Sequence, residues 1–232
     1  MSKSKRRLLF FAEAVTLSHV VRPAVLAQAL DPAQYEVYLA CDPRYSFLFA
    51  ELPFPVISIK SAIPQENITE RLSSGQSLFD VPMIEAYVKE DLRLMAALSP
   101  DVVVGDMRQS LSISARLAHI PYVNIINAQW SPSAHTPFEL MQNPMSPFVG
   151  ETLASLALNI FAPLGFAAHA APHNVARIKF GLPPLPWDIK DLYSDGDFTL
   201  YPDIPQLVPT QGLPPHHRYI GPILWSPQTP FP

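Results

Sequence analysis

The sequence predicts an α/β protein with a Rossmann-like, doubly wound parallel sheet. Three observations carry that prediction. Residues 8–14 form a continuous apolar run, as a strand covered on both faces by helices requires. Further short runs rich in β-branched and aromatic residues follow at 35–40, 56–59, 101–105 and 121–126. Between them lie segments whose apolar residues recur at helical spacing, and strands alternating with helices at this rhythm argue for parallel pairing through right-handed crossovers.

Taken in order, the first strand runs into a loop through Ser18 and His19, then a helix over about 22–30 with Pro23 suited to its first turn. The second strand (35–40) precedes a short helix at 44–51, and the third strand is 56–59. A long helix over 82–98 sets Leu92, Met95, Ala96 and Leu98 at helical spacing. The fourth strand (101–105) leads to a helix at 111–118, and the fifth strand is 121–126. Residues 129–150 read as irregular, two or so helices as covering 150–180, and 197–201 as the last strand. Of 27 prolines many crowd the second half, where they limit regular structure, and the 8 glycines are thinly spread.

With 232 residues, 48% hydrophobic and 16% charged, the chain can bury a full core. Its net charge of −4, with Lys3, Lys5, Arg6 and Arg7 the only dense basic run, speaks against nucleic acid as a partner. The lone cysteine, Cys41, excludes an internal disulfide and reads as a buried thiol at a strand end. The basic start followed by an apolar stretch imitates a signal peptide. Glu13 interrupts it and no small-residue cleavage site follows, so a core strand is expected and the protein is placed in the cytoplasm. The apolar run 153–171 raises a membrane question, but Asn159, Pro163, Gly165 and His169 break it, which points to helices filling a core or lining a pocket. His169 and His173 have the spacing of a metal pair, yet Pro172 stands between them, so no metal site is expected. His216 and His217 read as solvated, and Asn67-Ile68-Thr69 as a sequon without consequence.

Chemistry concentrates at two residues. In a doubly wound sheet ligands bind beyond the carboxyl ends of the strands where strand order reverses. His19 follows the first strand and Asp106 the fourth, which are neighbours at that reversal, so the two face each other across the crevice. An imidazole held in one tautomer by a carboxylate is suited to take a proton from a hydroxyl. On the residues alone a second reading stays open, in which His19 packs the loop and Asp106 caps the next helix.

Four short motifs in order add a resemblance. They are Ser18-His19-Val20-Val21-Arg22-Pro23 with Leu26-Ala27-Gln28-Ala29-Leu30, Val103-Val104-Gly105-Asp106, Ala115-Arg116-Leu117-Ala118-His119-Ile120-Pro121, and Tyr219-Ile220-Gly221-Pro222. Together they resemble the N-terminal, acceptor-binding domain of the GT-B glycosyltransferases of family 1, the UDP-glycosyltransferase and macrolide-glycosyltransferase group. The resemblance implies one Rossmann-like domain over 1–222, with 223–232 opening an interdomain linker. It implies an inverting, metal-independent transfer of a sugar from a nucleotide sugar such as UDP-glucose to an acceptor hydroxyl. His19 would be the general base and Asp106 its orienting partner, with no other cofactor.

Two departures qualify it. Ser18 stands where the family has glycine, and no glycine-rich phosphate loop follows, so the donor-binding half is expected elsewhere, in a missing domain or a partner chain. The resemblance places acceptor contacts in the loops after the third and fifth strands. Ser18, Phe79, Met83, Gln129, Trp130, Phe138, Met141 and Phe148 are the candidates, and their apolar character suggests a small hydrophobic acceptor. Ordinary core packing accounts for such residues equally well. An alternative function is a non-catalytic binding or scaffold subunit, or a remnant, that recruits a donor-binding chain.

Overall fold

The computed structural model describes residues 5–49, 51–61, 77–134 and 146–226. They build a seven-stranded, all-parallel sheet of β1 (Arg6–Ala12), β2 (Tyr35–Cys41), β3 (Val56–Ser58), β4 (Val102–Asp106), β5 (Tyr122–Ile125), β6 (Phe198–Tyr201) and β7 (His217–Tyr219). The strand order β3-β2-β1-β4-β5-β6-β7 reverses between β1 and β4, where Ala12 lies opposite Asp106. The helices are α1 (Leu17–Gln28), α2 (Val81–Leu98), α3 (Leu111–Ala118), α4 (Ser146–Val149), α5 (Glu151–Lys179) and α6 (Ile189–Tyr193).

The alternation of side chains along β1 decides what covers each face. Phe10 and Ala12 point into a core with Val20, Ala24 and Ala27 of α1 and Leu39 of β2. Leu9 and Phe11 point the other way, against Leu94 and Met95 of α2 and Leu111 and Ala115 of α3. Burial on both faces explains why β1 reads as an unbroken apolar run. Helix α2 starts where the Asp80 side chain accepts from the Met83 N–H and ends at Ser99, whose left-handed φ of 47° closes the last turn.

Several elements depart from expectation. Helix α1 begins at Leu17, not near residue 22, because burial of Val20 and Val21 extends it back to Thr16. Ser18 and His19 therefore sit in its first turn rather than in a loop, and Pro23 lies inside the helix, without the N–H that would have met the His19 carbonyl. The 44–51 helix is a 3₁₀ turn over Pro43–Leu48. A seventh strand, β7, extends the sheet within the proline-rich tail. His217 on β7 is buried and its Nδ1 lies 2.7 Å from the Tyr201 hydroxyl, so it is not solvated, whereas His216 is exposed.

Residues 151–179 form one helix that passes through Pro163 and Pro172. Its C-terminal half docks on α2 and α3 through Ala176, which packs with Ile113 and Val88, and through His173. Its N-terminal half exposes Leu153, Leu156, Ile160, Phe161 and Leu164, while Ala154 and, further along, Ala170 are buried. No single described helix is long and apolar enough to cross a membrane. The pair Glu151–Ala157 and Asn159–Lys179, bent by 44°, passes that test by length and composition only. Pro163 cannot donate to the Asn159 carbonyl, which accounts for a bend in this stretch.

Candidate active site

The site lies at the carboxyl edge of the sheet, at the β1–β4 reversal. Asp106 is the last residue of β4 and is fully buried; His19 projects from the first turn of α1. His19 Nδ1 stands 2.7 Å from Asp106 Oδ1. Among the described residues Nε2 has no hydrogen-bond partner, and the ring keeps 14% of its side-chain surface open. A histidine carried by a helix N-terminus and gripped at Nδ1 presents Nε2 outward, as a base acting on a bound hydroxyl needs.

A third residue, which sequence reading passed over, completes the arrangement. Arg22, one turn after His19 on α1, donates from Nε to Asp106 Oδ2 at 2.7 Å and from Nη2 to Oδ1 at 2.8 Å. Its Nη1 donates to Asn127 Oδ1 at 2.9 Å, and its Nη2 lies 2.7 Å from His19 Nδ1. A usable signal was present: the spacing of three between His19 and Arg22 puts both on one helix face. Ser18 is exposed, with its hydroxyl 2.8 Å from that of Thr16, and its φ is not positive, so the glycine of the resembling family is not required by the backbone here. Immediately after Asp106, Met107 adopts a left-handed φ of 57°, rare for a non-glycine residue. That turn lets Asp106 face α1 while Arg108 faces α2.

On the α2 side, Arg108 is fully buried and pairs with Glu13 at 2.8 Å, Glu90 at 2.9 Å and Asp91 at 3.0 Å. Ser61 and Tyr87 hydroxyls also donate to Glu13, and Ser110 and Ser114 to Asp91. Burial pushes the Glu13 and Asp91 carboxyls above their ordinary range, against the pull of Arg108. The cluster anchors the loop that follows β1, and with it the approach to His19.

The apolar candidates scatter. Phe79 is buried in the cluster with Ile84, Tyr87 and Ile113, 6.2 Å from the Tyr87 ring, and Met83 packs against the same cluster. It is core, which is why an aromatic there carries no information about a pocket. Gln129 is exposed, and Trp130 is half-buried, edge-on to Tyr193 at 5.1 Å. Phe148 is 87% exposed. Phe138 and Met141 lie outside the described residues.

The histidine pair on α5 is divided between two partners. His169 Nδ1 lies 2.9 Å from the Gly165 carbonyl, while the buried His173 has Nε2 2.7 Å from the Ser112 hydroxyl. The two rings thus have separate hydrogen-bond partners, although α5 continues through Pro172. Among the described residues no group of three or more His, Cys, Asp or Glu side chains is placed to hold a metal ion. Cys41 is buried at the end of β2, its thiol pushed up to about 12 by burial.

No protein-family model matches the chain. It is 47% identical over 223 residues to an "inactive PGL/p-HBAD biosynthesis glycosyltransferase" of Mycobacterium bovis, spanning 96% of this chain and 61% of that protein. It is equally, 47%, identical over 223 residues to a "PGL/p-HBAD biosynthesis glycosyltransferase" of Mycobacterium tuberculosis, of which it spans 52%. A "PGL/p-HBAD biosynthesis rhamnosyltransferase" of Mycobacterium bovis shares 47% over 227 residues and is spanned to 50%. Among solved structures, a spinosyn forosaminyltransferase superposes with a TM-score of 0.57 at 19% identity, over 99% of this chain and 54% of that one. The glycosyltransferase of kitacinnamycin gives 0.57 at 19% identity, over 97% and 53%. The homologues are thus glycosyltransferases, and the fold is that of one half of a GT-B enzyme. The chain spans about half to three-fifths of the length of these curated relatives.

Proposed function

We infer that this chain is the acceptor-binding half of an inverting glycosyltransferase that moves a sugar from a nucleotide sugar to a hydroxyl of a hydrophobic acceptor. The observation that carries the reading is the 2.7 Å contact between His19 and Asp106 at the sheet's reversal point, with Nε2 left without a hydrogen-bond partner among the described residues. The relatives support the reaction class, and their printed role in PGL/p-HBAD biosynthesis makes an acceptor of that kind the first to try.

In this reading Nε2 takes the acceptor proton as the hydroxyl oxygen attacks the anomeric carbon. The bond from that carbon to the nucleoside diphosphate breaks on the opposite face, and the diphosphate leaves with the electron pair. Asp106 faces the imidazolium that forms, while Arg22 pairs with the same carboxylate. The step uses no metal ion. A donor such as UDP-glucose would be held chiefly by the other half of the enzyme, as a second domain or a partner chain.

A second reading, a non-catalytic binding subunit, is favoured by one specific observation: a relative named inactive is as similar to this chain as its unqualified counterpart. One experiment separates them. The chain is supplied with a donor-binding half, in cis or in trans, and sugar transfer from UDP-glucose to an apolar hydroxyl acceptor is followed. Transfer that falls by about 10²–10⁴ in His19→Ala supports the base assignment. Transfer unchanged in His19→Ala refutes it, and acceptor binding without any transfer favours the second reading.

A further inference from the structure

The arrangement at Asp106 poses a choice that the His19–Asp106 contact alone does not. His19 Nδ1 lies 2.7 Å from Asp106 Oδ1 and 2.7 Å from Arg22 Nη2. A proton on Nδ1 donates to the carboxylate; a bare Nδ1 accepts from the guanidinium and turns its lone pair toward a carboxylate oxygen. These states exclude each other, and only the first leaves Nε2 free to accept a proton.

The neighbouring contacts decide between them. Three of the five N–H bonds of Arg22 meet an oxygen: Nε to Oδ2 at 2.7 Å, Nη2 to Oδ1 at 2.8 Å, and Nη1 to Asn127 Oδ1 at 2.9 Å. Each nitrogen of Arg22 thus has an oxygen acceptor apart from His19. Oδ1 carries enough acceptor capacity for both the Nη2 and the Nδ1 protons. The alternative sets a lone pair of Nδ1 against one of the fully buried Asp106 carboxylate.

We propose that Arg22 is a positioning residue that fixes the tautomer of His19. Its planar fork grips both oxygens of Asp106, holds Oδ1 toward Nδ1, and so keeps the proton on Nδ1 and Nε2 bare. Asn127 holds the fork from behind. Arg22 also gives the buried carboxylate a permanent counter-charge while the imidazole is neutral. Lysine, a point charge with one reach, does not reproduce a two-point grip.

The inference rests on the reading of His19 as the base, but its test needs no sugar transfer. The chain is labelled with nitrogen-15 histidine, and the ring nitrogens are recorded by long-range proton–nitrogen correlation, with His19→Ala assigning the His19 signals. The unsubstituted chain is expected to show a single Nδ1–H form of His19. Arg22→Met and Arg22→Lys are both expected to give a mixture of tautomers. Asn127→Ala, which leaves the Arg22–Asp106 pair in place, should give part of that loss and serves if the Arg22 variants do not fold. An Nε2–H form in the unsubstituted chain overturns the proposal, as does an unchanged Nδ1–H form in all three variants. A wrong tautomer beside His19-dependent transfer would remove Arg22's part alone. The expected tautomer beside His19-independent transfer would remove the base assignment alone.

Discussion

Arg108 and Glu13 meet at 2.8 Å with neither side chain reaching solvent, across the sheet edge from His19. Three carboxylates, Glu13, Glu90 and Asp91, share this one guanidinium, which also lies 3.7 Å from the centre of the Tyr87 ring. One cation cannot fully offset three buried or half-buried anions, so burial prevails and raises the Glu13 and Asp91 carboxyls.

A pH dependence follows from that sign. A carboxyl whose folded value lies above its unfolded one binds its proton more tightly when folded. Its stabilising contribution is complete below the unfolded value of about 4 and is lost as pH rises through the raised folded value. Glu13→Gln mimics the protonated form: its carbonyl can face Arg108 and its amide the Ser61 hydroxyl. Urea unfolding across pH should give a flatter slope above about pH 4 in this variant, with no loss of stability near neutrality. Arg108→Met, which strands the carboxylates, should cost about 3–5 kcal/mol.

His173 carries the opposite sign. Burial first, then Arg177 and Arg116, holds its imidazole down to about 3, and among the described residues its Nδ1 has no hydrogen-bond partner. The folded protein keeps it neutral while the unfolded chain takes up a proton near about pH 6.5. The stability it contributes is present above that value and is lost as pH falls through it toward about 3. His217, held down to about 4 by burial, acts in the same direction. His173→Gln should therefore reduce the acid loss of stability without abolishing it, as read by unfolding midpoints from neutral to acid pH. An acid limb identical to that of the unsubstituted chain would contradict the buried neutral state.

What the sequence disclosed depended on local signals. The first five strands and α2 were legible because apolar runs and helical spacing are dictated by burial on one face or two. The pairing of His19 with Asp106 was legible through topology, since parallel order places those two strand ends side by side. Arg22 was legible only as a neighbour of His19 on one helix face, because a charged residue on a helix reads as solvated until the sheet is seen to close over it. β7 was hidden for a similar reason: its three residues, His217 to Tyr219, carry no apolar alternation and form a strand because β6 offers an edge. The cluster around Arg108 joins residues from 13 to 108, and no spacing along the chain announces it.

Gly105 is fixed by what stands beside it. A Cβ there would lie 2.3 Å from Leu111 Cδ1 and 3.3 Å from the Tyr122 ring, and Leu111 is fully buried with nowhere to retreat. The missing side chain lets α3 approach the end of β4, one residue before Asp106. Gly105→Ala should cost about 1–3 kcal/mol through overpacking. At about 2–4 °C per kcal/mol for a chain of this size, thermal unfolding would register a drop of several degrees. A Tm equal to that of the unsubstituted chain would mean that α3 shifts without cost.

Leu156, Ile160 and Leu164 tell the two ends of α5 apart. They fall at helical spacing on one face and are 58%, 62% and 70% exposed, whereas Ala170, His173, Asn174 and Ala176 further along are buried. Exposed apolar side chains add little to the stability of a folded chain, because they have no packing to lose. Replacing all three by glutamine should change unfolding free energy by no more than about 0.5 kcal/mol per site. Ala176→Leu, forced into the contact with Ile113 and Val88, should cost about 1–3 kcal/mol on the same helix. The triple variant should also bind less of a fluorescent hydrophobic probe, since a contiguous apolar strip is what such probes report. Losses of several kcal/mol in the triple variant would instead mean that this face of α5 is covered in solution, and the contrast with Ala176→Leu would disappear.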